Sequence, residues 1–381
     1  FWGASCNNYD MNPVSPETSG RQQVLLAALW LAAASGVAGA IKPPAAVTAA
    51  EAGRFPAVRI TAVFEPAGES NVRSSFQLAD GAGLVGTEET GDIFKTEDAG
   101  KTWRKVWDGG EAWGIQDVRN YIRAEDGHLY ITTSEPALVA RSTDEGESWD
   151  VIARPKSSRT VGLVQLESGT MLVGLRRSEN GKTSLVRSED NFGHFDWLAL
   201  SDEAPRQNVT SFGYWGGREV LAGIGYEGSG KIYRSDDDGK TWAQTAELSE
   251  ARDLMGFFRE GDDTFVLASG IATLFGSANG GMTWAESRRF WDKGFLGQCV
   301  RLTMGPKSWW VMSATDQTQK PYRHVLLISD EAKGEWFEWI ELGRDETGGA
   351  SNLAVLSDSA LVVGTGNHAA QGRAYTLEFK D

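Results

Sequence analysis

Arginine set among aromatic and acidic side chains is the most evident chemistry in this chain. Trp113, Arg119, Glu135, Arg176, Tyr226, Arg252, Arg301 and Tyr322 fall on or beside segments that join short apolar runs, where a scaffold commonly presents functional side chains. Glu88, Glu89, Arg177, Glu227, Trp291, Lys293 and His368 accompany them. A guanidinium grips a carboxylate through two parallel hydrogen bonds, so the set suits a carboxylated sugar or an acidic peptide. Arg119 and Arg301 open the runs Val118-Arg119-Asn120-Tyr121 and Val300-Arg301-Leu302-Thr303, which marks them as candidate carboxylate binders.

Other chemistries lack their residues. His128, His194, His324 and His368 are scattered without metal-ligand spacing. Asp236-Asp237-Asp238-Gly239 looks calcium-like, yet a loop with Gly239 at its sixth position would begin at Arg234, which cannot be a ligand. No phosphate loop and no serine-hydrolase elbow occurs, so neither metal nor cofactor is expected. The formal charge of −15, with no basic run, argues against nucleic acid as a partner. Cys299 lies between apolar neighbours and reads as a small packed residue.

The elements that must position these residues come from a repeat. Thr96-Glu97-Asp98-Ala99-Gly100-Lys101-Thr102-Trp103 matches Ser142 to Trp149 around Asp144, Ser235 to Trp242 around Asp237, and Ser277 to Trp284 around Asn279. Decayed copies run from Ser188 to Trp197, lengthened by two residues, and from Ser329 to Trp336. The six starts are spaced by 46, 46, 47, 42 and 52 residues, one propeller blade each. Asp98, Asp144, Asp237 and Asn279 can fix a turn by bonding backbone amides. The glycine takes a conformation that a β-carbon opposes, and Trp103, Trp149, Trp242 and Trp284 wedge against neighbouring strands.

The pattern resembles the Asp-box, or BNR, repeat of sialidases and other secreted propellers, from about Phe55 to the C-terminus. It implies an all-β propeller of four-stranded antiparallel blades. Three short strands precede each box and one follows. A last unit from Asn352 to Phe379 lacks its fourth strand, which Arg59 to Phe64 can supply, so seven blades are expected, with six as the alternative. The boxes then line one face, and the site lies over the channel on the other. The resemblance implies either a non-catalytic exported scaffold binding a protein or glycan, as in the photosystem II stability and assembly factor group, or a sialidase-type exo-glycoside hydrolase. Sialidases carry an Arg-Ile-Pro motif before the first box and a Tyr nucleophile paired with Glu. Here Arg59-Ile60-Thr61 lacks the proline, and Tyr322 has no assignable Glu partner.

Upstream, Arg21 precedes the apolar stretch Val24 to Val37, which ends in Ala38-Gly39-Ala40. This reads as a signal peptide cleaved after Ala40, with the alternative of a retained anchor. Residues 1–10 precede Met11 and read as non-native; 41–54 reads as a linker and 55–381 as the propeller. A secreted or periplasmic protein without a stable membrane span is the expectation. Asn208-Val209-Thr210 fits a glycosylation sequon.

Overall fold

The computed structural model describes residues 41–48, 51, 53–178, 182–201, 207–225, 229–366 and 371–380. The expected signal segment, Tyr226, Glu227 and His368 lie outside the described residues. Apart from one short helix, Gly109–Trp113, the regular structure described is β-strand.

The strands pair into antiparallel sets of four. The first is Asn71–Ala79, Ala82–Glu88, Asp92–Thr96 and Arg104–Asp108; the second runs from Asp117–Arg123 to Asp150–Ala153; the third from Ser157–Gln165 to Asp196–Ser201; the fourth from Asn208–Gly213 to Ala243–Leu248. In the fifth, Asp263–Ser277 supplies both middle strands, and the long strand Ala285–Met304 is shared with the sixth. A β-carbon at Gly276 would lie 3.3 Å from the Phe265 ring, so Asp263–Ser277 doubles back at Gly270, where φ is +87°. Ala285–Met304 crosses from the fifth set to the sixth at Gly294. A side chain at Gly294 would strike the Thr315 carbonyl, 2.2 Å away. Gly349–Ser357, Ala360–Gly366 and Arg373–Lys380 form the last set, and Ala57–Phe64 pairs with Arg373–Lys380 as its outer strand.

Burial follows position in the blade. Second strands such as Leu129–Ser134, Val220–Gly225 and Ala360–Gly366 are buried throughout, because neighbouring blades cover both faces, and they read as continuous runs of apolar and small residues. Each pair of adjacent sets shares one apolar core. The core between the last set and the first joins Val72 and Val85 to Leu356, Val362 and Ala374. Around the axis, short polar side chains latch blade to blade. Ser74 donates to the Val118 carbonyl at 2.7 Å, Ser211 to Leu254 at 2.7 Å, Asn352 to Val72 at 2.6 Å, and Asn120 to Val161. Leu353 N–H donates to Gln298 Oε1 at 3.0 Å.

The box turns repeat almost atom for atom. Asp98 Oδ1 accepts from Thr102 N at 2.9 Å and Oδ2 from its hydroxyl at 2.6 Å, while Gly100 N donates to Thr96 Oγ1 at 2.9 Å. Asp144 and Asp237 do the same. Asn279 keeps the backbone bond and donates Nδ2 to Thr283 Oγ1 at 2.8 Å. Trp103, Trp242 and Trp284 donate to the box-glycine carbonyl, whereas the Trp149 indole N–H is buried without a partner. The glycine has a second duty beyond its positive φ. A β-carbon at Gly146, Gly239 or Gly281 would come within 3.0 Å of Leu84, Leu172 or Leu221 of the preceding blade.

One expectation is corrected here, and the segment 41–54 shows contacts of its own. The decayed third box contains no insertion: Phe192 N donates to Ser188 Oγ at 2.9 Å and His194 N to Asp190 Oδ1 at 2.8 Å, so Phe192 occupies the glycine position at φ 68° and Phe195, not Trp197, stands at the tryptophan position. The segment read as a linker is docked. Ala45–Ala46 pairs in parallel with Phe337 and Glu338, Lys42 bonds Glu335 at 2.7 Å, and Trp309 and Trp339 donate to the carbonyls of Arg54 and Pro56.

Candidate binding site at the channel mouth

On the face away from the boxes, first strands begin, second strands end, and the connections between blades cross. Single bridges stitch three blade pairs together there: Asn71 with Gly366, Glu88 with Asp117, and Ser134 with Arg159. The same level carries Arg73, Arg119, Arg159, Arg176 and Arg252, all lining one cavity of about 650 Å³. Blades one to three and the fourth-to-fifth connection supply the arginines. Gly294, Phe295, Gln317, Gly348 and Ser351 make the opposite, uncharged side.

Carboxylates hold the arginines in place. Arg119 Nε lies 2.5 Å from Asp117 Oδ2, which also accepts from Ser134 Oγ at 3.0 Å. Arg73 pairs with Glu88 and stands 3.9 Å from Asp117. Arg159 meets Glu135 through Nη2 at 2.8 Å and Nε at 3.0 Å. Arg252 is the most exposed of these paired arginines, at 62%, and stands 3.9 Å from Asp253.

Burial dominates the electrostatics. It pushes the Asp117 carboxyl above its ordinary value, against the charges of Arg119 and Arg73. Desolvation also lowers Arg119 to about 10, and the neighbouring positive charges of Arg73 and Arg159 act in the same direction. Asp253 is raised by burial too, opposed by its bonds to Ser269 and by Arg252 and Arg176. A site of crowded, partly desolvated guanidiniums attracts an anion that can replace lost water bonds bidentately.

The structure brings Arg119, Arg176 and Arg252 together with Glu88 at the mouth and places the other described candidates outside its lining. Glu135 acts through Arg159. Arg301 sits near the far end of its strand, bonding Ser308 at 2.6 Å and stacking on Trp310 at 4.9 Å, with the Asp330 carbonyl of the sixth box at 3.5 Å. That strand enters its blade at Gly294, so its mouth end lies seven residues before Arg301. Trp113 packs against Trp107, ring centroids 4.5 Å apart. Trp291 is a core residue. Tyr322 pairs opposite Asp345 with Lys320 over its ring, outside the mouth lining. Asn208 of the sequon is 2% exposed, which places the acceptor amide out of reach in the folded chain. Arg73 and Arg159 were missed; both stand two or three residues into first strands, the position Arg119 already marked.

No tyrosine is among the described residues lining the mouth, and Arg59 lies on the outer closing strand, paired with Glu378 at 2.8 Å. No helix among the described residues is long and apolar enough to cross a membrane.

No family model matches this chain. A curated relative, the photosystem II assembly lipoprotein Ycf48 of Trichormus variabilis (strain ATCC 29413 / PCC 7937), is 29% identical over 168 residues, 42% of this chain and 44% of the relative; the match spans less than half of either protein. Among solved structures, Ycf48 bound to a D1 peptide superposes with a TM-score of 0.55 at 15% identity, over 86% of this chain and 98% of that one. Ycf48 from Cyanidioschyzon merolae gives 0.54 at 13% identity, over 84% and 99%. A GH74 xyloglucanase from Xanthomonas campestris gives 0.57 at 14% identity, over 82% and 52%. The fold these share, together with the strand pairing above, makes this chain a β-propeller.

Proposed function

We propose that the protein is an exported, non-catalytic propeller that holds an acidic segment of a partner protein in its arginine-lined mouth. The observation that carries this reading is the convergence of five arginines on one cavity in a chain of net charge −15. The paired carboxylates pre-order the arginines, which lowers the cost of fixing them on binding. The similarity to Ycf48, and the structure of that protein with a D1 peptide, support a peptide rather than a glycan as ligand. Seven blades closed by Ala57–Phe64 are the architecture this reading takes, supported by the strand sets and by the core joining last to first. Export rests on the apolar leader and its Ala38-Gly39-Ala40 end.

Fluorescence anisotropy with a labelled acidic peptide, Asp-Glu-Asp-Glu-amide, tests the reading on the full chain. The expected result is saturable binding that weakens with salt and falls about tenfold or more in Arg252→Ala, the loss of one charge-assisted contact. Equal affinity for a Ser-Asn-Ser-Asn-amide control would sink it. Turnover of a fluorogenic sialoside, lost in Arg119→Ala, would instead establish a glycosidase.

A further inference from the structure

We propose that the channel beneath the mouth is a second subsite, taking an uncharged stretch of one or two residues that adjoins the acidic group of the bound peptide. The inference rests on the peptide-binding reading above. A second cavity of about 350 Å³ lies below the first and shares Arg73, Arg119, Val161, Thr210, Met255 and Ser351 with it. That is room for roughly ten waters at ~30 Å³ each, or a short piece of chain.

Charge separates the two levels. Among the described residues, Arg73 and Arg119 are the only charged ones that line the lower cavity, and the acidic residues of the site, Glu88 and Asp253, belong to the upper one. A carboxylate descending past the arginines would leave them for a wall of Leu163, Phe212, Met255 and Phe257, and a lysine would have to pass two guanidiniums; either buries an unpaired charge. Most polar groups of the wall are already committed to the interblade latches. Ser75 Oγ and Ser351 Oγ are buried there without partners, and Gln298, whose Oε1 is taken by Leu353 N–H, is exposed along the channel with its amide NH₂ left to donate. A wall of neutral hydroxyl and amide groups between apolar patches fits a small neutral residue of alanine or asparagine kind.

Gly256 supplies the means of closing this space. It lines the channel, its φ lies outside the left-handed region, and a β-carbon there would meet only Leu267, at 3.9 Å. Gly256→Leu therefore fills the channel without disturbing the backbone, and Gly256→Val serves if the larger side chain lowers the yield of folded protein.

The experiment compares labelled Asp-Glu-Asp-Glu-amide with the same head extended by Ala-Asn-amide or by Lys-Lys-amide, in anisotropy titrations of the full chain. The neutral tail is expected to tighten binding about tenfold, the order of one neutral group buried in a fitted pocket, and the lysine tail to give no such gain. Gly256→Leu or Gly256→Val should remove the gain and leave the affinity of the tail-less head unchanged. A neutral tail without effect on the unmodified protein, or a gain that survives both plugs, overturns the subsite while leaving the arginine mouth standing. A head that binds no better than a neutral peptide overturns both.

Discussion

The two faces of this propeller use carboxylates in opposite ways. On the box face Asp98, Asp144 and Asp237 sit near solvent, and although partial burial works against their charge, bonds from the Thr or Ser four residues on in the same turn outweigh it and hold them below the ordinary value. At the mouth Asp117 and Asp253 are buried and pushed upward. On the box face each of these carboxylates has donors on both oxygens; the mouth keeps charge in a desolvated, incompletely relieved state. Identical geometry in blade after blade builds the scaffold, and the residues that do not repeat line the mouth.

The largest expected effect is on the scaffold. Gly146→Val should lower stability by roughly 3 kcal/mol or more, since the site combines φ +83° with a close approach to Leu84; chemical denaturation measures it, and a loss under about 1 kcal/mol would mean the box glycine is interchangeable. Next comes Arg119→Ala, which strands the buried Asp117 and should cost about 3 kcal/mol, with Asp117→Asn in the same chain restoring part of it. A full, unrecovered loss in the double variant would place the damage in packing instead.

Smaller effects separate the faces by sign. Asp237 titrates at about 2 in the fold, below the usual 3.8, so its contribution is present above the unfolded value and is lost as pH falls through about 2. Asp117 and Asp253 are raised, so they oppose folding once ionised and favour it as they take up protons on acidification. Asp237→Asn should therefore flatten the acid limb near pH 2 to 4, and Asp253→Asn the limb above it; limbs of the same sign would erase the contrast. Smallest of all, Asp237→Asn at neutral pH should cost less than about 1 kcal/mol, because Asn279 already shows that an amide makes the same turn, whereas Asp237→Ala should cost more.

The repeat was legible because its bonds are local. Every donor and acceptor of a box lies within about seven residues, so Ser235, Asp237, Gly239, Thr241 and Trp242 state their geometry in their spacing. The third box misled on that same ground: its last turn was aligned on Trp197, while the bonds from Ser188 and Asp190 select Phe195. The docking of 41–48 and 53–56 gave no local signal, since the partners Phe337, Glu335 and Trp309 lie roughly 250 to 300 residues away.

What the residues alone determined is the blade: strand, turn and wedge recur at a fixed period, and each turn is closed by side chains that are near neighbours in the chain. Which arginines meet was decided only by how the blades pack side by side. Arg73, Arg119, Arg159 and Arg252 stand on different blades or the connections between them, and no spacing along the chain encodes their approach. Arg301, so like Arg119 in its flanking residues, ended on the other face because the strand carrying it runs unbroken from the preceding blade and enters at Gly294. Position along a strand, set by where the backbone crosses between blades, chose the face on which each guanidinium emerges.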